Sequence, residues 1–167
     1  MADKAYGLGW DHVKLYFMIG LPTERDDDVD AIADLTLRTV EVGRRRNRRA
    51  KVNTGVSTFV PKPFTPFQWS RQIGLEETRR KHSQLFEAFR RTPAVRFGRH
   101  NPFETFLEGL LSRADRRGAD LIEAAFRLGC RLDAWDEHLD QGRWMAAIEQ
   151  AGTDVEFELR ERDVDER

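Results

Sequence analysis

One cysteine, four histidines and a scatter of acids are the side chains in this sequence that could bind a metal, act as a nucleophile or move a proton. Cys130 follows Gly129 and reads as a small buried apolar residue. His12, His82, His100 and His138 lie far apart, and no pair has the His-x-x-x-His spacing that sets two imidazoles on one helix face. His82 falls on an apolar helix face and reads as a core or boundary residue, and His100-Asn101 reads as a capping turn. Asp133-Ala134-Trp135-Asp136-Glu137-His138 gathers three acids, an indole and a histidine, the groups of an acid–base pair or a substrate pocket. The plainer reading is a loop packed through Trp135. Lys62 could meet a carboxylate or phosphate, or be one more exposed lysine. Arg44, Arg45, Arg46, Arg48 and Arg49 could touch RNA phosphates. The simpler account is a solvated run at a helix C-terminus, where positive charge is favoured.

The elements that position these groups are organised around Leu15 to Gly20, an apolar run with no polar alternation. Such a run reads as a parallel strand covered on both faces. Gly20 and Pro22 end it. Ligands of α/β proteins sit past the carboxyl ends of strands, so Gly20-Leu21-Pro22-Thr23-Glu24 is a candidate binding turn. An ordinary strand-to-helix turn has the same composition.

Met1 to Trp10 reads as the stub of a helix. Asp26 to Val42 reads as a helix with acids at its start and Gly43 as its C-cap. Lys51 to Val60 reads as a second strand, and strand–helix–strand implies a right-handed parallel crossover. Pro61, Pro63 and Pro66 exclude regular structure, and Phe64, Phe67 and Trp69 give that loop something to pack. Leu75 to Arg91 reads as a helix and Ala94 to Gly98 as a short edge strand. Asn101-Pro102-Phe103-Glu104 is a helix start with N-cap, first-turn proline and capping-box acid. Further helices are expected at about 117–128 and 142–151, and residues 153–167 read as a charged, disordered tail.

Two stretches carry a family resemblance. Leu15-Tyr16-Phe17-Met18-Ile19-Gly20-Leu21-Pro22-x-Glu24 resembles the fifth barrel strand of radical S-adenosylmethionine (SAM) proteins. The nearest subgroup is the uncharacterised members with a cobalamin-binding-like domain before the radical SAM core. Methylthiotransferases and the Elongator catalytic subunit have a similar Gly-x-Pro-x-Glu turn. Val56-Ser57-Thr58-Phe59-Val60-Pro61-Lys62-Pro63-Phe64-Thr65-Pro66-Phe67-Gln68-Trp69 is similar to the sixth strand and following loop of that subgroup, and the likeness continues through Gly129 to Trp135.

The resemblance implies an α/β fold: the C-terminal part of a partial (β/α) TIM-like barrel over residues 1–99, a helical extension over 100–152 and the tail 153–167. It implies SAM contacts from Ile19, Gly20, Pro22 and Glu24 at one strand end, and from Phe59, Val60 and Pro61 at the next. It also implies a parent enzyme that cleaves SAM reductively at a 4Fe–4S cluster to form a 5′-deoxyadenosyl radical, with cobalamin as a further cofactor to seek. A cluster needs several thiolates close together, and this chain has one. The cluster loop is therefore expected in an N-terminal half outside these 167 residues.

Composition bounds the rest. Apolar residues make up 40% and charged residues 34%, and the formal net charge is −1, which argues against a generally basic nucleic-acid binder. A single cysteine allows no internal disulfide and fits a reducing cytosol. No apolar run approaches a membrane span. Two other classes stay open: a non-catalytic module gripping protein or RNA through the Pro61–Trp69 loop, and a truncated reading frame without a function of its own.

Overall fold

The structure, a computed structural model, describes residues 1–163. Residues 164–167, the end of the segment read as a disordered tail, lie outside the described residues. The fold is mixed α/β. Its elements in order are α1 Ala2–Gly7, β1 His12–Ile19, α2 Asp26–Arg46, β2 Lys51–Thr58, α3 Leu75–Phe89, β3 Val95–Arg99, α4 Pro102–Arg113, α5 Gly118–Arg127, α6 Gln141–Gln150 and α7 Val155–Leu159. No helix among the described residues is long and apolar enough to cross a membrane. The chain forms two compact units: residues 1–59 with 76–100, and residues 60–75 with the chain from Asn101 on. The proline-rich loop thus groups with the helical part, not with β2 and α3, which flank it in sequence.

The first unit is a parallel sheet in the order β1-β2-β3. Val13 pairs with Val52 and Phe17 with Val56, while Val52 pairs with Val95 and Thr54 with Phe97. Alternate side chains face α2 and α3. Ile19 and Val56 pack with Val29, Ile32 and Ala33 of α2 and with Leu85 and Phe89 of α3. The buried hydroxyls of Thr54 and Thr36 lie 3.3 Å apart and satisfy one another. The other face of the sheet is open. Tyr16 is 73% and Met18 44% exposed, so β1 is not covered on both faces as its apolar run predicts. It alternates, with apolar side chains on both sides and helices on one.

Helix α2 runs past Gly43 to Arg46, one turn beyond the expected end. Gly43 is inside the helix because space is short there. A Cβ at this position would lie 2.7 Å from the Tyr6 ring and 2.8 Å from Ala50 Cβ. Tyr6 anchors α1, 2% exposed, with its hydroxyl donating to the Lys51 carbonyl at 2.8 Å. The terminal arginines occupy the last helical turn, where Arg46 pairs with Asp3 at 2.7 Å.

In the second unit the Asn101 side chain accepts from the Phe103 amide at 2.9 Å and starts α4 as its sequence predicts. Phe103, Phe106, Leu107 and Leu110 of α4 pack with Leu121 and Ala125 of α5, Trp144 and Ile148 of α6, and Leu159. Part of the expected tail is therefore core. Asp154 caps α7, accepting from the Phe157 amide at 2.9 Å, and Leu159 is buried. The Leu159 carbonyl accepts from Gln72 N–H at 2.9 Å, and the Trp69 carbonyl from Arg162 N–H at 2.9 Å. Arg113 donates to the Ser70 and Arg160 carbonyls. Loop and tail are joined through backbone groups that charge patterning does not reveal.

Two consequences are measurable. Gly43→Ala adds a methyl where helix propensity favours it, but overpacking against Tyr6 and Ala50 costs about 1–3 kcal/mol. A lower urea midpoint is expected, and an unchanged or higher one would remove the packing argument. His82 is 3% exposed, edge-on to Phe97, with neither ring nitrogen hydrogen-bonded among the described residues. Burial, with the positive charge of Arg99 and His100, pushes its pKa down from 6.5 to about 4. The unfolded chain therefore binds more protons, and this residue's contribution to stability declines as pH falls from 6.5 to about 4. His82→Leu removes that component: its loss of urea midpoint between neutral and acid pH should be smaller than that of the natural chain.

Candidate functional site

The turn after β1 is built from a glycine and a buried ion pair. Gly20 takes φ 80°, a conformation open to glycine, and Thr23 follows at φ 68°, which costs a side-chain-bearing residue about 1–2 kcal/mol. The Gly20 N–H donates to Glu24 Oε2 at 2.9 Å. Lys81 of α3 brings its Nζ to 2.9 Å from the other Glu24 oxygen, and both side chains are nearly buried, at 4% and 7% exposure. Lys81 also lies 3.8 Å from Asp26, which accepts from Arg80 at 2.7 Å. That hydrogen bond holds the Asp26 carboxyl below its usual range. A shallow groove of about 330 Å³, lined by Met18, Leu21, Pro22 and Asp28 among others, lies beside the turn.

Ile19 is fully buried, Gly20 is buried and Pro22 half-buried. The Phe59 N–H donates to the Ile19 carbonyl at 2.8 Å, so the ends of β1 and β2 stay joined past the strands. The Phe59 ring is 7% exposed, packed inside rather than presented as a platform. Glu24 is committed within the chain: one carboxylate oxygen holds the Gly20 amide and the other faces Lys81. Val60 and Pro61 belong to the second unit, Val60 half-buried and Pro61 buried.

The remaining candidates disperse. Lys62 pairs with Glu108 and Ser112. Asp136 accepts from Asn101 at 2.8 Å, and His138 is exposed. Trp135 is 61% exposed, so it does not anchor its loop; Leu139 packs on the core instead. Cys130 is buried, which pushes its thiol pKa up, and no group of three or more metal-ligating side chains exists among the described residues. A lone protonated thiol does not fit a 4Fe–4S cluster.

Sequence reasoning missed Lys81. Its signal was position: three residues after Thr78 and four before Leu85, it falls on the buried stripe of α3. A second groove, of about 510 Å³, lies on the open face of the sheet.

Lys81→Met strands the Glu24 carboxylate in a buried place. A loss of about 3 kcal/mol or more is expected by urea denaturation. The double variant Lys81→Met with Glu24→Gln, which keeps an acceptor for the Gly20 amide, should recover much of it. No recovery would mean that Lys81 acts through packing alone.

An uncharacterised protein of Methanocaldococcus jannaschii is 39% identical to this chain over 66 residues, 40% of the chain. The chain spans 14% of that relative's length. No family model matches the chain, and no solved structure does.

Proposed function

We propose that this chain is the C-terminal part of a radical SAM barrel with its helical extension, nearest to the subgroup carrying a cobalamin-binding-like domain. The observation that carries the reading is the two-faced sheet. Three parallel strands bury one face under α2 and α3 and leave the other open, lined by Lys14, Tyr16, Asn53 and Ser57. A β/α barrel has this division, helices outside and an interior face within. The Gly20 turn at the carboxyl end of β1 supports it: the bare, left-handed glycine lets another molecule approach the backbone.

In this reading SAM lies against the backbone around Ile19, Gly20 and Pro22. Glu24 and Lys81 hold the turn in shape instead of touching the ligand. The cluster belongs to an N-terminal half in the same parent, and so does any cobalamin. No redox step is assigned to this chain.

A second reading rests on Phe64, which is 97% exposed at φ 63° in the proline-rich loop. An aromatic held out in this way would suit protein recognition by a non-catalytic module.

The test has two arms. The reading frame upstream of Met1 should encode a Cys-x-x-x-Cys-x-x-Cys loop, and the complete protein, reconstituted anaerobically with iron and sulfide, should release 5′-deoxyadenosine from SAM. The 167-residue chain alone should do neither. Absence of the cysteine loop, or stoichiometric cluster iron on the isolated chain, would overturn the proposal.

A further inference from the structure

The open face of the sheet holds a groove of about 510 Å³ whose lining contains no acidic residue. Lys14, Asn53 and Arg96 stand side by side across the three strands. The next layer towards the carboxyl ends is Tyr16, Gly55 and Gly98, also in register. Lys14 and Arg96 are exposed, and neither has a carboxylate partner among the described residues. The Lys14 ammonium rests 4.6 Å from the centre of the Tyr16 ring.

The two glycines are the informative residues. A glycine inside a strand weakens it and often marks close approach of another molecule. Neither has the positive φ that excludes side chains. A Cβ at Gly55 would come no nearer than 3.5 Å to Tyr16, and one at Gly98 no nearer than 3.9 Å to the Thr54 carbonyl, both ordinary contacts. The fold would accept the methyl of an alanine at either place, and around Gly98 the space is open beyond that one carbonyl. What the glycines provide is space: a path from the carboxyl-end rim down to a basic layer.

We propose that this face seats the phosphate or carboxylate group of a small substrate between Lys14 and Arg96, with the body of the molecule over Gly55 and Gly98 beside Tyr16. Their Cα atoms, two strand spacings apart, are about 10 Å from each other, a gap that two long side chains close around one anion. Asn53 lies between them with an amide that can donate to the same group. The proposal rests on the reading of this face as a barrel interior, and it names the class of substrate that such an interior takes.

The experiment is calorimetric titration of the full chain with inorganic pyrophosphate and, separately, with citrate, at low ionic strength. At least one probe should bind, and the tighter of the two tells phosphate from carboxylate. Lys14→Gln and Arg96→Gln should each weaken binding about tenfold, as loss of one charge-assisted contact does. Gly98→Val should abolish binding while keeping or raising the urea midpoint, because valine suits a strand. Arg44→Gln with Arg45→Gln, on the last turn of α2, should bind as the natural chain does. The proposal is overturned if neither probe binds, if the α2 variant loses as much affinity as the groove variants, or if Gly98→Val binds normally. These outcomes are separable from the radical SAM reading. A complete protein that makes 5′-deoxyadenosine while this chain ignores both anions defeats only the anion site. A parent without the cysteine loop whose groove variants lose anion affinity defeats only the enzyme assignment.

Discussion

A right-handed strand–helix–strand crossover places its helix on one side of the sheet, and two successive crossovers advancing in the same direction place both helices on that same side. The order β1-β2-β3 is such an advance. Much of the first unit follows from this constraint. α2 and α3 must share one face, so each strand alternates between a helix-covered side and an open one. It sends His82 and Lys81 of α3 into the layer between helix and sheet, where one stays neutral and the other needs Glu24. It leaves Tyr16 and Met18 of β1 on the open face of the sheet.

The Lys81–Glu24 pair shows what that layer demands. A lysine drawn under a helix loses its water, and attraction to one carboxylate offsets part of that loss. The carboxylate also holds the amide of Gly20, so the strand end and α3 are mechanically one piece. A turn built in this way is preorganised: its shape does not wait for a ligand.

Element type was legible in the sequence wherever the signal was local. The second and third strands, the α4 start at Asn101-Pro102 and the lengths of α5 and α6 follow from periodicity and caps within a residue or two, while β1 begins three residues before its apolar run. What was not legible depended on the third dimension. Tyr16 and Met18 made β1 look buried on both faces because hydropathy records apolar character and not which side the helices take. Gly43 carries the same letter as a C-cap but serves as a close contact for Tyr6. Trp135 has the look of an anchor and faces water. Of the turn, Gly20 and Pro22 could be picked out from type and spacing, but the role of Glu24 could not, since Lys81 comes 57 residues later.

The joining of residues 69–72 to residues 159–162 has a practical meaning for anyone dividing this protein. Charge pattern invites a cut after Gly152. Such a cut would remove the Leu159 carbonyl that receives the Gln72 amide, the Arg160 carbonyl that receives Arg113, and the Arg162 amide that serves Trp69. Arg113 would keep only Ser70, and Gln72, wholly enclosed, would lose the acceptor of its main-chain amide. The proline-rich loop contains no helix or strand of its own between β2 and α3, so its path depends on side-chain and backbone ties of this kind. Residues 159–162 act as a splint for a segment some ninety positions earlier in the chain, and a fragment lacking them is a poor proxy for the loop's behaviour in the whole protein.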